Sequence, residues 1–183
     1  PAGEYELQIE LLDHGQAKAV FSLGTVRVAG RQRLFQAPAI SSPVGARLGD
    51  RVTLIGYDLP EKRVRAGEAL SLVLYWRAEQ KMATSYTVFT HLIGENGKVW
   101  AQQDNVPVSG SYPTRGWLPG EIIVDPYELS LRDDAPAGRY SLDVGLYDGA
   151  TGRRLSVVDA TGERQPDDRV LLSETVEVMA RAP

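Results

Sequence analysis

Apolar and polar side chains alternate along several short segments of this 183-residue chain, and this period of two constrains its fold more than any other feature. Leu72, Leu74 and Trp76, for example, share one face of a predicted strand, while the residues between them share the other. A period of two is typical of a half-buried β-strand, whereas an amphipathic helix has a period near 3.6. Alternating or continuous apolar runs predict strands at 52–59, 63–65, 69–76, 86–93, 99–104, 122–131, 139–147, 155–158 and 170–178.

Short turn-forming segments separate the predicted strands. Asn96 and Gly97 form the clearest of them, because both central residues of a two-residue hairpin turn need a positive φ. Turns spaced roughly ten residues apart, with no long helical period, are typical of an antiparallel sandwich. We therefore predict an all-β fold, an antiparallel immunoglobulin-like β-sandwich with an additional N-terminal β-hairpin.

Two distant parts of the chain repeat one another. The first thirteen residues are PAGEYELQIELLD, and residues 136–148 are PAGRYSLDVGLYD. The match resumes after a turn, where TVRV at 25–28 corresponds to TVEV at 175–178. The offset grows from 135 to 150, so the later copy carries 15 more residues between its two strands. Each copy is predicted to be one β-hairpin.

This repeat predicts a division of the chain into three parts. Residues 1–29 are predicted to be the C-terminal hairpin of a preceding repeat module, because a lone hairpin cannot bury its apolar face. Residues 30–49 contain Pro43 and Gly45 with little periodicity, which is typical of an extended connector. The β-sandwich domain is predicted at 50–183. The open edge of the hairpin needs a cover, so an oligomer formed through it is an alternative.

The charge balance and the missing residue types exclude several functional classes. There are 20 basic and 24 acidic residues, a net charge of -4, which argues against a nucleic-acid partner. No apolar run approaches the roughly 18 residues of a membrane span, so we expect the chain as given to be soluble. Without cysteine there is no thiolate ligand or nucleophile, and there are only two histidines. We predict no metal and no cofactor.

The chain from residue 48 to 172 resembles a family of bacterial membrane proteins. The resemblance is carried by LGDRVTLIGYDL, VRAGEALSLVLYWRA, the run from YTVFTHLIGENGKVW to IIVDPYELSL, and PAGRYSLDVGLYDGATGRRL. These segments are similar to the β-sandwich regions that follow the transmembrane part of Chloroflexi-type, family-39 glycosyltransferase-like proteins, which are relatives of protein mannosyltransferases. The resemblance implies an extracytoplasmic module, membrane-anchored in the full-length protein. Its glycosyl-transfer residues would belong to the membrane portion.

A second resemblance concerns the fold. The sequence Gly138-Arg139-Tyr140 at the start of a strand is similar to the tyrosine corner of immunoglobulin-like sandwiches, where a Tyr hydroxyl bonds the preceding loop. The chain departs from that pattern because it has no cysteine pair, and because Asp134 stands six positions before Tyr140 instead of four.

Aromatic residues give the most suggestive surface feature. The loop VPVSGSYPTRGWLPGE contains Tyr112, Arg115 and Trp117, and the strand before it contains Trp100 and Asp104. Aromatic faces stack on sugar rings, and neighbouring charged groups bond sugar hydroxyls. These five residues are the predicted ligand-binding site. The alternative is that Trp117 folds back and caps one end of the sandwich.

Catalysis and metal binding have weaker signals. Asp104, Glu121 and Asp125 bracket the same loop, and glycosidases use a pair of carboxylates, although 24 acidic residues make chance proximity common. His91 is predicted to be structural, with its imidazole satisfied by a neighbouring backbone group or carboxylate. Asp148 precedes a glycine-rich turn and has the oxygens of a calcium ligand, but a plain turn is the favoured interpretation.

The prediction for function is a non-catalytic extracytoplasmic accessory or interaction module of a larger membrane-anchored, glycosyltransferase-like protein. Its predicted partners are the membrane portion and the neighbouring repeat of its own polypeptide. The first alternative is a carbohydrate-binding module that uses the loop aromatics, with a glycan as partner. The second is a glycoside hydrolase, which needs two carboxylates roughly 5 to 10 Å apart in a cleft.

Overall fold

The computed structural model describes residues 3–181, and the chain divides into two compact units, Pro1–Arg33 and Leu34–Pro183. The first unit is an antiparallel hairpin of β1 (Gly3–Asp13) and β2 (Gln16–Val28). His14 and Gly15 form its two-residue turn with φ of 48° and 81°, which are the positive values that such a turn requires. Pro1 and Ala2, which the prediction for 1–29 includes, lie outside the described residues.

The second unit is built from ten strands and two short 3-10 helices, Thr114–Gly116 and Pro166–Asp168. The strands are β3 (Ser42–Leu48), β4 (Val52–Asp58), β5 (Arg63–Arg65), β6 (Ala69–Ala78), β7 (Tyr86–Gly94), β8 (Val99–Asn105), β9 (Ile122–Ser130), β10 (Gly138–Asp148), β11 (Val157–Val158) and β12 (Val170–Met179). Among residues 3–181, no helix is long and apolar enough to cross a membrane.

The ten strands form two five-stranded sheets. One sheet has the order β5-β12-β10-β7-β8, and the other has the order β11-β3-β4-β6-β9. All pairs are antiparallel except β5 with β12. The predicted fold class, an all-β antiparallel sandwich with an N-terminal hairpin, is therefore confirmed.

The core of the second unit is formed by the alternating apolar residues of its strands. Leu72, Leu74 and Trp76 of β6 are fully buried, as are Leu142 and Val144 of β10 in the other sheet. These side chains belong to one hydrophobic cluster. Burial of so much apolar surface is the main favourable contribution to folding.

The predicted connector at 30–49 is wrong for one segment, because residues 42–48 form strand β3. This strand pairs with β4 on one side and with β11 on the other. Its periodicity is interrupted by a register shift between Pro43 and Ala46, where Gly45 has a φ of 80°. Such a bulge removes the strict alternation by which a strand is found in a sequence. The predicted strand at 155–158 is likewise shorter, since β11 contains only Val157 and Val158.

A tyrosine ties the loop before β10 to the sandwich. The Tyr140 hydroxyl donates a hydrogen bond to the carbonyl oxygen of Pro136, four positions earlier, at 2.8 Å. The ring is buried, and this burial raises the pKa of Tyr140. The predicted resemblance to a tyrosine corner is thus confirmed in geometry, with a backbone carbonyl as the acceptor.

Candidate functional site

The loop between β8 and β9 holds three of the five predicted ligand residues, and it folds inward. Trp117 is fully buried, and its indole Nε1 donates a hydrogen bond to the carbonyl oxygen of Tyr112 at 3.1 Å. Tyr112 is also buried, and its hydroxyl donates to Glu121 Oε1 at 2.5 Å. Arg115 alone of the three is exposed. Buried rings offer no open face on which a sugar could stack.

Further hydrogen bonds fasten this loop to the sandwich. Thr114 Oγ1 donates to the carbonyl oxygen of Thr84 and accepts from the backbone N–H of Tyr86, both at 3.0 Å. The backbone N–H of Val108 donates to Asp125 Oδ1 at 2.7 Å. The loop therefore has the contacts that the capping alternative for Trp117 requires, and ligand binding through Tyr112 and Trp117 stays a prediction without structural support.

Trp100 lies away from those hydrogen bonds, at the beginning of β8. Lys98 Nζ is 4.0 Å from the centroid of its ring, and the Arg132 guanidinium carbon is 5.5 Å from it, so two cations interact with the indole. The side chain is 7% exposed, and among the described residues its Nε1 has no hydrogen-bond partner. A buried donor of this kind is costly unless a ligand or a water satisfies it.

A small cavity adjoins Trp100. Its volume is about 160 Å³. A Cβ placed on Gly94 would come within 3.0 Å of Trp100 Nε1, so the glycine is what leaves space beside the indole N–H. The other residues that line the cavity are Glu95, Asn96, Pro136, Ala137, Gly138, Arg139 and Tyr140. Sequence reasoning missed this cavity, although it named Trp100.

Asp104, the fifth predicted ligand residue, belongs to a polar cluster on β7, β8 and β10. His91 Nε2 lies 3.9 Å from Asp104 Oδ1, and His91 Nδ1 lies 2.9 Å from Asp143 Oδ1. Asp143 is buried and also accepts a hydrogen bond from Arg169 Nη1 at 2.7 Å. A carboxylate partner for His91, which the sequence predicted, is therefore present, and its structural role stays a prediction.

The charge of Asp143 is stabilised by this cluster. Burial by itself would raise the pKa of Asp143, but the hydrogen bonds from His91 and Arg169 outweigh it and hold the pKa below the ordinary value. No pattern in the sequence links Asp143 to Arg169, because the two are 26 positions apart and meet only through the pairing of β10 with β12.

Two of the three acids named for the hydrolase alternative, Glu121 and Asp125, are buried in the sandwich, whereas Asp104 is exposed. Asp125 accepts hydrogen bonds from Trp76 Nε1 at 3.0 Å and from the Tyr127 hydroxyl at 2.9 Å, in addition to the one from the loop backbone. Burial raises the pKa of Asp125, and it raises the pKa of Tyr127 as well. Glu121 accepts from the Leu118 N–H at 2.9 Å. The two buried carboxylates hold the loop through these hydrogen bonds.

Asp148, the residue considered as a calcium ligand, forms the hydrogen bonds of a turn. Asp148 Oδ1 accepts a hydrogen bond from the backbone N–H of Ala150 at 2.9 Å, and its carbonyl oxygen accepts from Gly152 at 2.8 Å. Within residues 3–181, no three His, Asp or Glu side chains are grouped in a way that could hold a metal ion.

Comparisons with known proteins bear on the fold. No protein-family model matches the sequence, and no curated protein matches it either. The C-terminal domain of wzt is a similar solved structure, with a TM-score of 0.50 at 13% identity over 80% of this chain and 84% of that one. A CARDB domain of the PF1109 protein from Pyrococcus furiosus, solved with di-metal ions, has a TM-score of 0.39 at 10% identity over 78% of this chain and 100% of that one. The likeness to the wzt domain shows a shared fold, and the class that fold and site define is a β-sandwich domain.

Proposed function

We propose that this chain is a non-catalytic, extracytoplasmic accessory module of a larger membrane-anchored, glycosyltransferase-like protein. The observation that carries the non-catalytic part is the burial of Glu121 and Asp125, whose oxygens hold the loop between β8 and β9. The membrane context rests on the sequence resemblance at 48–172. Its partners in this proposal are the membrane portion and the neighbouring repeat of its own polypeptide.

The experiment for this proposal is a topology measurement on the polypeptide as the gene encodes it. The proposal requires several apolar spans of about 20 residues before Pro1. Alkaline phosphatase fused after Pro183 is then active, because that enzyme works only outside the cytoplasm, and a cytoplasmic reporter at the same position is not. The absence of upstream spans, or a phosphatase fusion that is inactive while a cytoplasmic reporter works, would contradict the membrane context.

Carbohydrate binding is the second candidate, and one observation favours it at a different place from the loop aromatics. The Trp100 N–H is a buried donor without a partner among the described residues, beside a cavity of about 160 Å³. A sugar hydroxyl can accept such a hydrogen bond. The cations of Lys98 and Arg132 near the ring would keep the indole in place.

Titration of glycans into the chain, followed at the indole N–H resonances, tests this candidate. A binding glycan shifts the Trp100 signal and leaves those of Trp76 and Trp117, which have partners within the fold. Gly94→Ala fills the space beside Nε1 and should abolish the shift. Gly97→Ala is a control in the same turn: a Cβ there meets nothing within 4 Å, so any change it causes comes from the backbone strain at its φ of 75° and not from a filled cavity. If none of a broad set of glycans shifts the Trp100 resonance in these titrations, this second function is excluded.

A further inference from the structure

The first unit exposes an apolar face that a free hairpin cannot keep in water without cost. Tyr5, Leu7, Ile9 and Leu11 lie at alternate positions of β1, and each is between 40% and 55% exposed. Among the described residues, β1 pairs only with β2, so the two strands form a sheet by themselves. A two-stranded sheet of this kind is marginally stable in water.

The hairpin has the same register as the β10 and β12 pair of the second unit. Gly3 pairs with Val28, as Gly138 pairs with Val178. The next three residue pairs of the two ladders also correspond, and among them Tyr5 opposite Val26 matches Tyr140 opposite Val176. Both ladders are then interrupted by a register shift, after Leu7 in one and around the corresponding Leu142 in the other.

The corresponding positions of β10 are interior positions. Tyr140, Leu142, Val144 and Leu146 take the places of Tyr5, Leu7, Ile9 and Leu11, and each is at most 2% exposed. Three of these four side chains are identical, and the fourth changes only isoleucine to valine. The exposed face of β1 therefore carries side chains of the size and spacing that fill a sandwich interior.

The second strand shows the same relationship. Phe21, Leu23, Val26 and Val28 of β2 are at least 42% exposed. Their counterparts in β12 are Val170, Leu172, Val176 and Val178, and these are at most 5% exposed. The only change of size among the four is Phe21 against Val170.

The second unit also shows what covers such a pair of strands. The far edge of β10 is bonded to β7, from Tyr140 opposite Gly94 to Asp148 opposite Tyr86. The far edge of β12 is bonded to β5, and the inward side chains of both strands belong to the cluster that joins the two sheets. A covering hairpin from a second copy would satisfy the apolar face, but it would leave these strand edges open.

We propose that β1 and β2 are the last two strands of a further β-sandwich module, and that the remaining strands of that module cover them. A strand equivalent to β7 bonds the free edge of β1, and the opposing sheet packs on Tyr5, Leu7, Ile9 and Leu11. This proposal deepens the proposed function, which names the neighbouring repeat as a partner, but it is independent of the membrane context, since any tandem β-sandwich protein would require it.

Hydrogen exchange tests this proposal on two forms of the protein: residues 1–183, and the polypeptide extended upstream of Pro1 as its gene encodes it. We expect exchange of the β1 amides to slow by at least about 100-fold in the extended form, reaching the protection of β10. In residues 1–183 the same amides exchange quickly at every protein concentration.

Matched substitutions in the extended form show which face is covered. Ile9→Asp places a charge at the position of Val144 and should return the β1 amides to fast exchange. Arg27→Asp serves as the control, because Arg27 corresponds to Glu177, which is exposed in the second unit, and it should leave the slow exchange unchanged. If the β1 amides exchange slowly in monomeric 1–183, the second unit covers the hairpin. If they exchange slowly only when 1–183 dimerises, a second copy covers it. Either result overturns the proposal, as does a gene without an upstream sandwich or an extended form in which β1 still exchanges quickly.

Discussion

The contacts of single side chains show that the aromatic residues of the loop between β8 and β9, and two acidic residues beside it, make hydrogen bonds within the fold. Trp117 and Tyr112, the two loop aromatics, donate hydrogen bonds within their own loop. Asp125 receives three hydrogen bonds in the interior. The residue types were visible in the sequence. Whether these side chains point inward or outward could not be predicted, because a loop has no periodic pattern that assigns its residues to a buried or an exposed face.

The capping role of Trp117 makes a prediction for its removal. Trp117→Ala should lower the free energy of unfolding by about 3 to 5 kcal/mol, because it leaves a cavity and removes the donor to the Tyr112 carbonyl. Urea denaturation measures the change, with Arg115→Ala as an exposed control in the same loop. A variant of unchanged stability that has lost a glycan bound by the parent protein would contradict the cap and support a stacking site.

The tyrosine corner makes a second prediction. Tyr140→Phe removes only the hydroxyl that donates to the Pro136 carbonyl, and we expect a loss of about 1 kcal/mol in the free energy of unfolding. Tyr86→Phe is the matched control, since its ring is also buried and the described part of the chain gives its hydroxyl no hydrogen bond. Equal effects of the two substitutions would show that the corner contributes nothing.

Asp143 makes a prediction for pH. Because its pKa is lowered in the folded protein, the stability that it contributes is present above its ordinary value of 3.8 and is lost as the pH falls through the lowered value. Asp143→Asn should therefore cost about 2 kcal/mol at neutral pH and progressively less in acid. Urea denaturation at several pH values checks this, with the exposed Asp133→Asn as control. A cost independent of pH would contradict the account.

At the scale of the elements, the alternation of side chains was a reliable guide wherever a strand is regular. The predicted strand at 63–65 matches β5, and most other predicted strands differ from the observed ones by one or two residues. Strand β3 was missed, because Pro43 and Gly45 interrupt it at a bulge and its partners β4 and β11 define it only in the folded sheet. The hairpin repeat can be recognised in the sequence because its two copies share residue identities as well as the alternation of apolar and polar side chains.

The two copies of the repeat allow a matched prediction between elements. Leu142→Ala in β10 should lower the free energy of unfolding of the second unit by about 2 to 5 kcal/mol, since Leu142 is fully buried. Leu7→Ala at the corresponding place of β1 should change it little in residues 1–183, since Leu7 is about half exposed. Thermal or urea unfolding of the two variants measures the difference. A comparable loss for Leu7→Ala would show that the hairpin is already covered.

At the scale of the whole molecule, the fold could be predicted from the sequence and the candidate site only in part. Fold class follows from periods and turns, which are local. The burial of Glu121 beside Tyr112, and the cavity at Trp100, arise where a loop or a turn meets strands that are distant in the chain. Such contacts depend on how the sheets stack, and a pattern in the sequence does not specify them.

The central proposal is that the sandwich is non-catalytic, and its main support is that Glu121 and Asp125, two of the carboxylates beside the long loop, hold that loop in place. The most direct measurement is hydrolysis of a broad panel of fluorogenic glycosides by residues 1–183, beside Asp125→Asn and Glu121→Gln. The account predicts no turnover above buffer for any of the three proteins, with both variants less stable to urea than the parent. Turnover by the parent that either substitution abolishes, while the variant remains folded, would contradict it.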